Sequence, residues 1–268
     1  MTGSVSAQRS TAADKRLQDG SDTRNQRRDK SKGIRMIEAE WWEYDSVSEL
    51  ADAVAGDVGF IIESAVDARG SSLIAVPCGT TGPAIFPKLL EQKVPWKKVT
   101  IIPTDDRLVP MDDERSNVRA IAKAFLPAGA RVVPIATEIA DYKLAGNSAD
   151  ARLQDLPWPA DLVWLGMGKD GHTASIFAGP DLQTALDAPK GRRAVGVMPD
   201  PLPPEAPVAR VTLTRASILS ARTVLITITG ADKRAVLEQA IADGQSSKVP
   251  IGRVLAEIEQ PIDIHWCP

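Results

Sequence analysis

The stretch Asp161-Leu162-Val163-Trp164-Leu165-Gly166-Met167-Gly168-Lys169-Asp170-Gly171-His172-Thr173-Ala174-Ser175 gathers side chains of the kinds that move protons. Three glycines, Gly166, Gly168 and Gly171, follow a short apolar run, and they let the backbone turn tightly and approach a ligand. His172 is one of two histidines in the chain, and Asp170 stands two residues before it. A lone histidine is more often structural or simply exposed. One held in a glycine loop at the carboxyl end of a strand is placed for general-base chemistry, with a nearby carboxylate to fix its orientation. The segment after Gly171 is expected to begin a helix, which would put His172 at or near a helix start.

Two further segments could handle an anion or a sugar. Ile74-Ala75-Val76-Pro77-Cys78-Gly79-Thr80-Thr81-Gly82-Pro83 reads as strand, glycine-containing loop and helix, with Pro83 in the first helical turn. Backbone N–H groups at the helix start, the positive end of its dipole and the hydroxyls of Thr80 and Thr81 converge where a phosphate could sit. Gly and Thr serve equally well as plain turn geometry. The segment is neither a Walker loop nor a GxGxxG, so nucleotide binding gains no support. Thr104-Asp105-Asp106-Arg107-Leu108-Val109-Pro110 directly follows the apolar run Val99 to Ile102, and ligands of open α/β sheets gather at strand carboxyl ends. Asp105, Asp106 and Arg107 could fix sugar hydroxyls, a phosphate or an imidazole. The plain alternative is a loop salt bridge between Arg107 and either aspartate.

The elements that would position these groups are legible in outline. β-rich runs recur at Leu73 to Val76, Val99 to Ile102, Arg131 to Ile135, Leu162 to Leu165, Ala194 to Val197 and Val224 to Thr229, with helical patterns between several of them. That alternation implies an α/β fold whose mostly parallel, open sheet is flanked by helices. The strongest helix runs from Ser46 to Ala68, opened by Ser46 and Glu49 as a capping box and closed by Gly70. Others are expected near Ser116, after Gly171, and from Ala231 to about Ile241. The Pro-rich stretch Pro199 to Pro207 reads as a surface loop beside the site.

Composition sets the limits. Residues 1–35 have almost no large apolar side chains and are expected to form a disordered polar tail, leaving 36–268 as a single domain. Hydrophobic residues make up 43% of the chain and no apolar run approaches the length of a membrane span, so a soluble protein is expected. A formal net charge of −3 gives no global field to attract nucleic acid, so any anion must meet locally placed Lys and Arg. Cys78 and Cys267 are far apart and lack ligand spacing, which suits a reducing cytoplasm and a site without metal.

Gly166 to Ser175 resembles the Gly-Met-Gly-x-Asp-Gly-His-Thr-Ala-Ser signature of 6-phosphogluconolactonases nearly residue for residue. Three further blocks agree in order: Gly79-Thr80-Thr81, Asp105 to Pro110 with Ser116-Asn117, and Arg210-Val211-Thr212-Leu213-Thr214 followed by Gly230-Ala231-Asp232-Lys233. The departures are Cys78 where the family's first loop usually has Gly, Gly82 where it has Pro, and Asp106 for the common Glu. The resemblance implies a Rossmann-like fold similar to that of glucosamine-6-phosphate deaminases. It also implies hydrolysis of 6-phospho-D-glucono-1,5-lactone without a cofactor, by a monomer or small homo-oligomer whose partner is a phosphosugar lactone and not a nucleic acid or membrane. His172 would be the base, with Asp170 or Asp105 orienting it. Gly79, Thr80, Thr81, Arg107, Gly168, Arg210 and Lys233 would contact phosphate and sugar. A deaminase or isomerase is the alternative enzyme, although Thr173 to Phe177 follows the lactonase pattern. A sugar-phosphate-sensing domain without catalysis is a further alternative, but no helix-turn-helix accompanies it.

Overall fold

In a computed structural model, residues 37–268 are described, so the expectation for residues 1–35 lies outside the described part of the chain. The chain opens with strand β1 (Ala39–Glu43), then helix α1 (Val47–Arg69), β2 (Ser72–Val76) and α2 (Thr81–Leu90). Strands β3 (Val99–Pro103) and β4 (Asp105–Arg107) precede α3 (Asn117–Phe125), β5 (Arg131–Val132) and α4 (Tyr142–Gln154). Next come β6 (Leu162–Gly166), α5 (Leu182–Leu186), β7 (Ala194–Val197), β8 (Arg210–Leu213) and α6 (Arg215–Ser220). The chain continues through β9 (Thr223–Thr229), α7 (Ala231–Asp243), α8 (Pro250–Leu255) and β10 (Ile262–Cys267).

Local chemistry explains the best-formed helix. Ser46 is extended, and its hydroxyl accepts the Glu49 N–H at 3.2 Å. Glu49 reaches back to the Asp45 N–H at 3.3 Å, one residue earlier than a capping box requires. Gly70 ends α1 in the left-handed region at φ 80° and returns its N–H to the Val66 carbonyl.

Seven strands form one parallel sheet in the order β1-β10-β9-β6-β2-β3-β5. Alternate residues of its central strands feed two cores, as the two-residue side-chain period demands. Leu73, Ala75, Val163 and Leu165 face one core, whereas Ile74, Val76, Leu162 and Trp164 face the other. From β2 the chain steps through β3 to β5 in one direction. From β6 it steps through β9 to β10 in the other, so the topological switch point lies between β2 and β6, where open α/β sheets place their ligand crevice. A second, antiparallel sheet of order β4-β8-β7 sits at that end and pairs Asp105 with Thr212 and Arg107 with Arg210.

The fold differs from the sequence expectation at four places. Ala194–Val197 belongs to the small antiparallel sheet, not the parallel one. The run expected from Arg131 to Ile135 pairs only over Arg131–Val132. Strands β1, β4, β8 and β10 and helices α4, α6 and α8 were not evident as elements. No helix follows Gly171. Thr173 and Ile176 form an isolated bridge, Ala174 adopts a left-handed φ of 47°, and the Ser175 N–H goes sideways to the Thr212 hydroxyl at 3.1 Å. Those lateral bonds satisfy the backbone that a helix would have used, and the next helix, α5, starts only at Leu182.

Candidate active site

A cleft of about 490 Å³ opens at the carboxyl ends of β2, β3, β6 and β9, and the site residues singled out in the sequence line it except Asp170 and Asp106. Asp170 lies outside the lining, with Oδ1 2.5 Å from His172 Nδ1, and the same oxygen accepts the His172 N–H at 3.3 Å. Burial raises the Asp170 carboxyl, but the hydrogen bond and charge of His172 outweigh it and hold the group below its usual value. Gly168 is required by contact: a Cβ there would lie 2.3 Å from His172 Nδ1 and 2.6 Å from Asp170 Oδ1. Its N–H donates to the His172 carbonyl at 2.9 Å, so that amide closes the loop and does not face the cleft as a free donor. On its other side the imidazole stacks on Phe177, with ring centroids 4.2 Å apart and planes inclined by 27°.

Asp105 holds other partners. Ser175 donates its hydroxyl to Oδ2 at 2.6 Å and Thr104 donates to Oδ1 at 3.2 Å, so of the two candidate aspartates Asp170 is the one bonded to the imidazole. The loop salt bridge considered for Arg107 does not form. Its NH1 donates to Asn117 Oδ1 and to the Arg115 carbonyl, and only its backbone N–H meets Asp106. Asp106 is wholly buried, and its carboxylate accepts N–H bonds from Arg107 at 2.8 Å, Asn117 at 2.7 Å and Val118 at 3.0 Å. Burial pushes its carboxyl up to about 6, against those N–H bonds. It therefore ties the start of α3 to β4 and fixes Arg107 and Asn117 together.

Arg210, on the strand paired with β4, is only 3% exposed. It donates to the Ala206 carbonyl at 3.2 Å, stands 3.8 Å from Glu205 Oε1 and lies 5.3 Å over the Phe177 ring. The Nε atoms of Arg107 and Arg210 are buried and have no hydrogen-bond partner among the described residues. Lys233, in the first turn of α7, has its ammonium lowered by burial and by Lys169, partly offset by Asp170. Across the cleft, α2 begins at Thr81, and Thr80 makes no side-chain cap bond. A Cβ on Gly82 would lie 2.4 Å from the Pro77 carbonyl oxygen, so a proline at this position would not fit the loop as it is folded. Cys78 is no nucleophile: burial pushes its thiol up, Asp105 and Asp106 push it further, and Sγ donates to the Asn117 carbonyl at 3.4 Å.

Sequence reasoning left out Phe177, Glu205, Thr227 and the bracing role of Asn117. Asn117 was visible as part of a Ser-Asn block, and Glu205 belongs to the Pro-rich loop expected beside the site. Phe177 was visible only as the end of the Thr173 to Phe177 pattern and Thr227 only within a strand, because nothing in their sequence neighbourhood shows what they pack against. Among the described residues no group of three or more His, Cys, Asp or Glu side chains is arranged to hold a metal ion.

A parallel sheet with a paired carboxylate and imidazole near its switch point, facing two guanidinium groups, defines an α/β protein of the open-sheet class with a polar cleft at its strand ends. The profile of the family described as glucosamine-6-phosphate isomerases/6-phosphogluconolactonase matches residues 45–266. The chain is 37% identical to a 6-phosphogluconolactonase of Rhizobium meliloti over 229 residues, 84% of this chain and 97% of that protein. A solved 6-phosphogluconolactonase from Shewanella baltica superposes with a TM-score of 0.79 at 30% identity, covering 87% of this chain and all of the other. A monomeric glucosamine-6-phosphate deaminase shares the fold with a TM-score of 0.69 at 15% identity. The chain belongs to the glucosamine-6-phosphate isomerase/6-phosphogluconolactonase family.

Proposed function

We propose that this protein hydrolyses 6-phospho-D-glucono-1,5-lactone to 6-phospho-D-gluconate, the ring-opening step of the oxidative pentose phosphate pathway. The observation that carries the reading is the 2.5 Å bond between Asp170 and His172 Nδ1 beside a cleft lined by the buried Arg210 and the half-buried Arg107. Asp170 keeps the proton on Nδ1 and leaves Nε2 to take one from water as the oxygen attacks the lactone carbonyl. The tetrahedral oxyanion then collapses, the bond from the carbonyl carbon to the ring oxygen breaks, and the imidazolium returns its proton to that oxygen. A lactone is an activated ester, so no covalent nucleophile is required. Ser175, which donates to Asp105, serves to brace and not to attack.

Charge supports the substrate assignment. The chain is net negative, yet Arg107, Arg210, Lys233 and the start of α2 all border this one cleft. Guanidinium groups with an unfilled donor suit a phosphate, which offers several acceptors to planar N–H pairs. Gly79, Thr80 and Thr81 add backbone and hydroxyl donors. Continuous titration of the acid released from freshly made lactone, corrected for spontaneous opening, tests the proposal. Turnover of the lactone without ammonia release from glucosamine 6-phosphate is expected. Ammonia release with no gain on the lactone would assign the chain to the deaminase branch.

A further inference from the structure

We propose that Phe177 is a positioning residue for this reaction: its single ring fixes the general base and the anion-binding arginine relative to each other. The inference rests on the lactonase reading for its catalytic consequence, but its geometric content stands apart from it. The His172 imidazole lies 4.2 Å from the Phe177 ring at a 27° inclination, and the Arg210 guanidinium lies 5.3 Å from the same ring. Phe177 itself is not part of the cleft wall. It packs outward against a small void beside Val197 and Pro199, at the root of the Pro-rich loop. It can therefore affect substrate only through the two side chains it carries.

Both of those side chains need such support. His172 is anchored at Nδ1 to Asp170, which is itself largely exposed, with 61% of its side chain open to solvent. One side-chain hydrogen bond to an exposed carboxylate sets a direction but not a plane, since the imidazole can still rotate about that bond. A flat ring against one face removes that rotation. Arg210 is buried, but its fixed contacts are one carbonyl and a carboxylate at 3.8 Å, and its Nε has no partner among the described residues. The aromatic face gives the guanidinium a second plane of reference, a contact that arginine favours. Base and anion contact must keep their separation to within a fraction of an ångström for attack on the carbonyl, because small misplacements are costly in rate. One shared ring achieves this without entering the substrate's space.

Phe177→Leu keeps an apolar side chain and removes the flat face, whereas Phe177→Tyr keeps the face. The leucine variant is expected to lose roughly tenfold in kcat and to raise KM several-fold. The tyrosine variant is expected to stay within about twofold of wild type in both, a rescue that a merely space-filling role would not require. The geometric half is read without any substrate. The chain has two histidines, so the ring protons of His172 are assignable by comparison with His172→Gln. They should be shifted upfield by the Phe177 ring current in the wild type and in Phe177→Tyr, and should return downfield in Phe177→Leu. Should the leucine variant fail to fold, Phe177→Met takes its place with the same expectation. Histidine signals that do not respond to loss of the ring, or leucine and tyrosine variants that are equally impaired at unchanged melting temperature, would overturn the proposal. Wild-type protein with shifted histidine signals but no lactone turnover would leave the stack standing and refute the reaction instead.

Discussion

At the scale of single residues, the proposed general base is the imidazole in the glycine loop. His172→Ala should still bind 6-phosphogluconate yet lose about 10²- to 10⁴-fold in turnover, the range for removing acid–base catalysis. His172→Gln should do no better, since an amide replaces hydrogen bonds but carries no proton. Near-wild-type rates in both, after subtracting uncatalysed hydrolysis, would move the role to a carboxylate. Asp106 makes a different prediction. Its carboxyl titrates near 6 in the fold against an ordinary value of 3.8, so the native state holds the proton more tightly than the unfolded chain. The stabilisation that follows is complete below the unfolded value and is lost as pH rises through about 6. The unfolding free energy of wild type minus Asp106→Asn should therefore shift in favour of wild type from neutral pH to pH ~4, by on the order of 2 kcal/mol. Denaturant titrations at the two pH values check this, and a constant difference would show an ordinary carboxyl. The sequence displayed His172, Asp170 and Arg107 because chemistry and glycine spacing mark them locally. It did not display what Asp106 does, because its N–H partners at Asn117 and Val118 arrive only when α3 docks on β4.

Among elements, legibility followed the size of the buried side chains. Helix α1 announces itself because Leu50, Val54, Val58 and Ile62 make a large apolar stripe. Helix α4 buries Ala145, Gly146, Ala149 and Leu153, a stripe too small to stand out in the sequence. Its packing is backbone against backbone: a Cβ on Gly196 of β7 would lie 1.7 Å from the Tyr142 carbonyl oxygen, and one on Gly146 would lie 2.0 Å from the Gly196 nitrogen. Gly196→Ala should accordingly cost about 1 to 3 kcal/mol, as overpacking does, seen as a lowered denaturation midpoint. Because Gly196 pairs with Val211 beside Arg210, KM should suffer more than kcat. A fully stable variant would mean that α4 can back away from the sheet. The short strands β4 and β8 escaped notice for another reason. Asp105–Arg107 carries three charged residues, and it is a strand only because β8 lies opposite it.

For the whole molecule, the parallel sheet with both faces covered was readable from alternating β-rich and helical runs, whereas the separate antiparallel sheet was not, since β4 and its partner β8 lie over 100 residues apart and leave no local trace. Lactone hydrolysis by an activated water calls for no Lewis acid. Activity should thus survive exhaustive dialysis against EDTA, and a loss restored by one added cation would refute that mechanism. The order of the sheet also bears on how the chain is made. Strand β1 leaves the ribosome first among the described strands, yet its hydrogen-bonding neighbour is β10, the last, and its register runs from Ala39 opposite Ile262 to Glu43 opposite Trp266. During synthesis β1 has no neighbouring strand to pair with until β10 has emerged. The sheet is thus completed in a single late event, and a nascent chain stalled before Ile262 has no partner for its own beginning.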